Sequence, residues 1–400
     1  PALSRDSLTR LAPGLLVLAG VAGCTALAWP GDSPLVPQAG GALVGRASWA
    51  WAFLVLLALA FVAYLAGLHR LARGGAPLRG VVVLALAVQL VPLGAPLMLS
   101  SDAWTYWMYG RIAAVHDANP YEDPPSAFPD DPAFRWAGDR WRDSTSVYAP
   151  GFTLASEPIA LVAGESHDTV AWLYKALAAL AACATVLLAA RLAARPALAA
   201  AFVGWNPLLA VHLAGGGHND AWIGALLLAG LATQAVGVAW AFGAAVKWIP
   251  LVLLPLQALA TRRRAGLGAF AVATAAVAAL ATLRYGSAWL EAFGPLADNA
   301  RETTSYALPH RLSQFGVPES AAIALFAAFF ALVYLVLARQ AWRGRARLAL
   351  ASVALLACAP YVTPWYLAWV VPLAAVEEDK LARGLALAFT AYLLPQTIPV

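Results

Sequence analysis

The chain has 400 residues, of which 62% are apolar and only 12% charged, with a mean hydropathy of +0.70. Soluble domains carry about 45–50% apolar and ~25% charged residues, so a soluble globular enzyme, a disordered chain and a disulfide scaffold are all excluded. The net charge of +5 comes from basic residues set in short breaks between apolar runs, which mark membrane topology rather than a phosphate-tracking stripe, and no nucleic acid is expected.

A membrane-spanning helix needs about 20 apolar residues. In chain order the runs predict spans near 11–29, 48–68, 79–99, 168–190, 197–213, 219–236, 265–283, 319–341, 347–361, 364–376 and 382–398. The first is preceded by Arg5 and Arg10 and ends in Ala26-Leu27-Ala28, similar to a signal peptidase site; it is read as a helix, with cleavage left open. The basic breaks are Arg70, Arg73 and Arg79; Arg191 and Arg195; Arg262, Arg263 and Arg264; and Arg339, Arg343, Arg345 and Arg347. Placing them inside puts residues 100–167, 214–220, 284–318 and the turn near 361–365 on the outer side. Residues 150–163 then form a helix on the outer face. Residues 239–260, which hold Gly243, Lys247, Pro250 and Pro255 and run into the arginines at 262–264, form a broken re-entrant hairpin that opens to the cytoplasm. The fold expected is all-α and polytopic, with about 11–13 membrane helices, and continuous apolar runs exclude an alternating outer-membrane barrel. Cys24, Cys183 and Cys358 lie far apart inside apolar runs and read as small hydrophobes.

The stretch 100–150 is the one long polar segment, rich in acids and aromatics. Asp102 follows the span ending Leu97-Met98-Leu99 and begins Asp102-Ala-Trp-Thr-Tyr106-Trp-Met-Tyr109-Gly110-Arg111. At helical spacing Asp102, Thr105, Tyr106 and Tyr109 share one face and Trp104, Trp107, Met108 and Arg111 another, the pattern of an interfacial helix. A carboxylate there is placed to take a proton from a sugar hydroxyl, or simply to cap the helix. Gly215-Gly216-Gly217-His218-Asn219-Asp220 ends one span and begins the next. Its glycines and free helix N–H groups suit an anion and His218 adds a donor, while Asn219 and Asp220 also read as plain caps. Lys247 is a lone amine in an apolar run and needs a partner, a lipid phosphate or a carbonyl. Arg284, Arg301, His310 and Arg311 lie in the outer segment after it, and Tyr361-Val-Thr-Pro364-Trp365-Tyr366 offers interfacial anchors or sugar-stacking rings. No phosphate-binding loop, zinc-protease or serine-hydrolase motif is present.

Taken in succession these fragments resemble the GT-C glycosyltransferases, and more narrowly the bacterial polyprenol-phosphate-mannose-dependent α-1,6-mannosyltransferases. The matching residues are Ser101-Asp102-Ala-Trp-Thr-Tyr106 with Tyr109-Gly110-Arg111, Asn119-Pro120-Tyr121, Ser146-Val-Tyr148-Ala-Pro150, His218-Asn219-Asp220, Ala245-Val-Lys247 and Pro364-Trp365-Tyr366, spread from about 79 to 376. The resemblance implies a GT-C-like catalytic domain over 79–400, its outer loop at 100–167, with two additional N-terminal helices in 1–78. It implies inverting transfer of mannose from a polyprenyl-phosphate donor to a glycolipid or glycan acceptor on the outer face of the bacterial plasma membrane, with Asp102 as general base. His218, Arg301, Lys247 and Arg311 are the donor-phosphate candidates, and Tyr106, Tyr109, Tyr148, Asn219, Asp220, Trp365 and Tyr366 the sugar and acceptor candidates. Ser100-Ser101 precede Asp102 where related families often carry a second acid, and neither a metal nor a cofactor is expected. A pentosyl (arabinosyl) donor is the alternative within the enzyme class. A lipid-linked sugar transporter is the alternative outside it, though transporters place ionisable residues near the midplane in paired halves.

Overall fold

The computed structural model describes residues 5–233, 236–262, 264–299 and 301–400, and its described elements are all helical. In chain order they are α1 (Arg5–Ala26), α2 (Ala47–Arg73), α3 (Leu78–Leu90), α4 (Asp102–Ala114), α5 (Pro150–Ala163), α6 (His167–Leu192), α7 (Pro196–Gly204), α8 (Pro207–Gly216) and α9 (Asp220–Ala232). They continue with α10 (Val236–Val246), α11 (Ile249–Thr261), α12 (Arg264–Tyr285), α13 (Phe293–Asn299), α14 (Leu308–Ser313), α15 (Glu319–Trp342), α16 (Leu348–Cys358), α17 (Val371–Val376) and α18 (Lys380–Leu393).

Every predicted span meets a helix, yet many are shorter than the apolar run that announced them. Among the described residues four helices (α2, α6, the 266–285 part of α12, and α15) are long and apolar enough to cross a bilayer alone, and the bent pair α7–α8 has the length and composition for a fifth when counted as one broken span. The interruptions have local causes. Trp205 and Asn206 separate α7 from α8, which turn by 55°; Pro207 begins the second helix and the Asn206 side chain caps it by accepting from Leu208 and Leu209 N–H. Pro92 likewise turns the end of α3 into a short 3-10 turn. Exposed apolar side chains such as Val55, Leu59 and Val62 on α2 and Leu325, Phe329 and Leu332 on α15 face outward, as lipid contact requires.

The arginine breaks gather at one end of the bundle, where they satisfy free helix carbonyls. Arg195 donates to Leu71 and Ala72 at the end of α2, and Arg262 to Trp342 at the end of α15. Arg263 lies outside the described residues. The predicted hairpin is observed as α10 and α11. Gly237 lies against the backbone of Gly266 and Phe270 at the arginine end, and Arg262 returns there. The tip, Lys247 and Trp248, is carried to the opposite end, beside Asp220 and Phe293.

That opposite end holds the 100–150 loop. Helix α4 is buried from Ala103 to Ala113, so neither face lies open to lipid as an interfacial helix would. Trp104 packs on Trp136 and His167, and Tyr106 meets Tyr148, Phe152 and Tyr174 edge-on. Helix α5 crosses α4 at Gly110, where a Cβ would stand 2.5 Å from the Ser156 carbonyl, so only glycine permits the approach. The loop is then pinned by Arg111, whose Nε reaches both Asp131 oxygens at 2.8 and 2.9 Å while Nη1 donates to Gly164 O. Burial tends to raise the Asp131 pKa, but Arg111, the Ala133 N–H and His116 together hold it below the usual carboxylate value. Helices α1 and α2 pack into the same core: Tyr64 donates to Phe202 O, and Gly67 sits against the buried Trp205 ring.

Candidate active site

A cavity of about 240 Å³ opens at the loop end between the start of α4, the start of α5, the hairpin tip and the segment 359–366. Its walls include Asp102, Tyr106, Tyr148, Lys247, Trp365 and Tyr366, joined by Trp141, Trp248 and Tyr361. Each wall residue is placed by a local feature. Asp102 is the first residue of α4, its N–H taken by Ser100 Oγ at 3.1 Å. Lys247 stands in the break between α10 and α11, where Pro250 in the first turn of α11 forbids a continuous helix. Trp365 and Tyr366 follow Pro364 in a 3-10 turn.

Behind this wall lies a buried polar layer. His218, fully buried, brings Nδ1 to 3.3 Å from Asp102 Oδ2, within ion-pair range but off the line of a straight hydrogen bond. Its ring stacks on Trp365 at 3.6 Å and 13°, which fixes the imidazole plane. Asp220, also fully buried, receives Lys247 Nζ at 2.8 Å and Trp369 Nε1 at 2.7 Å on the same oxygen. Lys247 Nζ also lies 4.5 Å from the Tyr366 ring centre and 5.1 Å from that of Trp369. Burial works to raise the Asp102 pKa; the contact and charge of His218, the charge of Lys247 and Ser100 outweigh it and hold the carboxyl below its ordinary value. The cavity thus holds an ionised carboxylate with room to accept a proton, and an ammonium across from it.

The residues expected at a site therefore separate into three groups. Asp102, Tyr106, Tyr148, Lys247, Trp365 and Tyr366 line one cavity. His218, Asn219 and Asp220 lie beneath it: Gly217, in the left-handed region at φ 70°, ends α8 and turns the chain inward, so His218 backs Asp102 instead of facing a ligand. The Asn219 amide is buried there with neither its nitrogen nor its oxygen partnered. Tyr109, Arg301 and Arg311 are elsewhere. The Tyr109 hydroxyl donates to Ser144 O at 2.8 Å and anchors the loop. Arg301 is exposed and pairs with Asp298, its neighbour three residues back. Arg311 lies on the Tyr306 ring and bonds the Tyr392 hydroxyl. Arg284 is held by Glu157 and Asp117.

Spacing alone does not single out Trp141 or Arg140, whose guanidinium lies 5.3 Å from the Trp141 ring centre and 5.0 Å from that of Tyr361 at the cavity rim; the interleaved aromatics of the loop were the available signal. Among the described residues no three His, Cys, Asp or Glu side chains converge as a metal site would need.

The family model described as alpha-(1->6)-mannopyranosyltransferase, N-terminal domain, matches residues 11–281. Alpha-(1->6)-mannopyranosyltransferase A of Corynebacterium glutamicum is 30% identical over 159 residues, covering 38% of this chain and 32% of that protein. A probable alpha-(1->6)-mannopyranosyltransferase of Mycolicibacterium smegmatis is 28% identical over 184 residues, 41% of this chain and 33% of its own length. The matched stretch thus spans about a third of each of these relatives. No solved structure matches the chain. With most of its length matched by that model, from the first helix to the end of α12 where the hairpin and the Asp102 loop are complete, this chain belongs to the alpha-(1->6)-mannopyranosyltransferase family.

Proposed function

We propose that this protein is an integral-membrane mannosyltransferase that moves mannose from a polyprenyl-phosphate donor to a hydroxyl of a glycolipid or glycan acceptor, on the outer face of the membrane. The observation that carries this reading is the pairing, across one cavity, of the Asp102 carboxylate with the Lys247 ammonium. The acceptor oxygen attacks the anomeric carbon as Asp102 takes its proton. The bond from that carbon to the phosphate oxygen breaks, its electron pair stays on the phosphate, and a single displacement inverts the anomeric centre. Charge grows on the leaving phosphate, and a fixed ammonium aimed at it lowers the barrier. Lys247 is the cation suited to that task, since Asp220 and two aromatic rings already hold it in place.

A lipid donor is supported by a crevice next to the cavity. Trp248 belongs to both, and the crevice continues between α5, α10 and α12 along Pro150, Ala241, Ala244, Ala245, Val277 and Ala278. A crevice lined almost entirely by apolar side chains, with Thr274 the polar exception, that begins beside a phosphate-binding ammonium suits the first part of an isoprenoid tail. The outer face is supported by the arginines gathered at the opposite end, the end that the positive-inside rule assigns to the cytoplasm, and mannose by the family.

The test is transfer by purified protein in lipid vesicles, given labelled polyprenyl-phosphate-mannose and a mannosyl glycolipid, with EDTA present. Labelled acceptor whose new linkage has the inverted configuration is the expected result. Absence of transfer, retention of configuration, or activity that EDTA abolishes and Mg²⁺ or Mn²⁺ restores would overturn the reading.

A further inference from the structure

A second, larger cavity of about 400 Å³ opens on the other side of α4. Its walls include Gln38 from the segment between α1 and α2, Trp104 from α4, Arg135 and Trp136 from the loop, and His167 and Asp168 at the start of α6. The His167 ring stacks on Trp136 at 3.8 Å and 8°, Trp104 closes against both, and the Arg135 guanidinium lies 4.9 Å from the Trp136 ring centre. Asp168 is 88% exposed and His167 31%, so polar groups of both kinds border an aromatic block.

We infer that this cavity is an acceptor-glycan subsite, holding sugar residues of the acceptor that lie away from the reacting hydroxyl. The inference rests on the mannosyltransferase reading above. Three observations carry it. First, the chemistry of the walls suits a pyranose: the half-buried Trp136 and His167 rings leave apolar edge for its C–H groups, with a carboxylate, a guanidinium and an amide for the hydroxyls. An anionic lipid headgroup fits less well, because the Asp168 carboxylate would repel its phosphate. Second, the two cavities are mechanically joined. Asp102 faces one and Trp104, two residues on, faces the other, so they are separated by about one helix diameter, ~10–12 Å, which a few linked pyranoses span. The loop 133–141 runs between them, with Trp136 in one wall and Trp141 in the other, and Gly138 N–H bonds Thr105 of α4 in passing. Third, the segment after α1 is fixed onto this loop, Gly40 N–H donating to Arg135 O at 2.9 Å, which gives the N-terminal addition a task at the site.

The experiment compares acceptors of two lengths, a single mannoside and an α-1,6-linked mannotetraoside, in vesicles with and without phosphatidylglycerol. Trp136→Ala should raise KM for the longer acceptor by about fivefold to tenfold, with kcat, donor KM and the single-mannoside KM unchanged. Arg135→Ala, at an exposed position, should move the same constant in the same direction without affecting folding. Equal changes for both acceptors, no change, or a change that follows phosphatidylglycerol content would each overturn the inference. Saturation-transfer NMR with mannotetraose and no donor separates it from the parent reading: the sugar signal should persist in Asp102→Asn and, at sugar concentrations well below the wild-type Kd, fall about fivefold to tenfold in Trp136→Ala. If that contrast holds while no transfer occurs, the subsite stands and the catalytic reading falls; if transfer occurs without the contrast, the subsite falls.

Discussion

Replacing Asp102 by asparagine removes a proton acceptor while changing almost nothing else. The amide has the carboxylate's size, asparagine is accepted at a helix start, and the side chain is 20% exposed, so no void opens and the expected stability loss is ~1 kcal/mol, the contact with His218. A positioned general base is worth about 10²–10⁴-fold, or ~3–5 kcal/mol of barrier at 1.36 kcal/mol per tenfold. The expected variant therefore melts near wild type and binds donor, but transfers mannose at least about a hundredfold more slowly. The pH profile adds a second check. Burial would raise the Asp102 pKa, but His218, Lys247 and Ser100 hold it low, so the acid limb of kcat/KM should lie below the ordinary carboxylate range. His218→Gln removes a lowering influence and should move that limb upward in pH; a His218 that bound donor phosphate would instead raise donor KM and leave the limb in place. Transfer within about threefold of wild type in Asp102→Asn, measured with labelled donor, would refute the assignment of the base.

Lys247→Met should lower kcat by about 10²–10³-fold and destabilise the protein by ~3 kcal/mol or more, because Asp220 is left fully buried without its cation, with Trp369 as its remaining side-chain donor among the described residues. Adding Asp220→Asn should restore the melting temperature without restoring transfer; recovery of activity in that double variant would remove Lys247 from the mechanism. At the arginine end, burial raises the Glu377 pKa to about 7, against the opposing pull of the Leu348 and Ala349 N–H groups and Arg347. The folded state then holds a proton that the unfolded state has released, so stability should fall as pH rises from the ordinary glutamate value to about 7. Glu377→Gln should flatten that slope in thermal melts, whereas the lowered Asp379 acts only at more acidic pH.

The parts of this protein legible in its sequence are those set by local rules. Apolar runs located the helices, the hairpin followed from Pro250 and the arginines after it, and Asp102, Lys247 and Trp365-Tyr366 reached one cavity because each sits at an element boundary. Residues whose roles depend on what lies behind them were not legible. His218 has the composition of an anion-binding turn, but a left-handed Gly217 turns it inward to Asp102. Arg301 and Arg311 occupy the expected segment, yet nothing in their spacing says that Asp298 and Tyr392 engage them. The two-faced pattern of α4 suggested a helix lying on lipid; α5, α6 and the loop cover both faces because aromatic rings pack as well on tyrosine and histidine as on acyl chains.

The placement of Asp102 itself depends on a charge that no motif announced. Past the 3-10 turn at Val91–Gly94, the stretch that leads into α4 makes no helix or strand of its own, and Leu99 within it has a φ of 61°, so its backbone must be held from outside. Met98 N–H donates to Gly215 O, Leu99 N–H to Leu35 O, and the buried Lys175 of α6 gives its ammonium to the carbonyls of Leu93, Ala95 and Pro96. One lysine thus satisfies three carbonyls around the end of that turn, a few residues before Asp102. Lys175→Met keeps an unbranched side chain, one heavy atom shorter, and removes the donor, at ~1–3 kcal/mol for each buried acceptor left unpaired. Because the freed turn leads into Asp102, kcat should fall with stability while donor KM, which the proposed mechanism assigns to Lys247, stays near wild type. Steady-state kinetics alongside thermal melting decide the matter: a less stable Lys175→Met protein with unchanged kcat would mean that α4 alone sets the carboxylate and that the clamp serves only the fold.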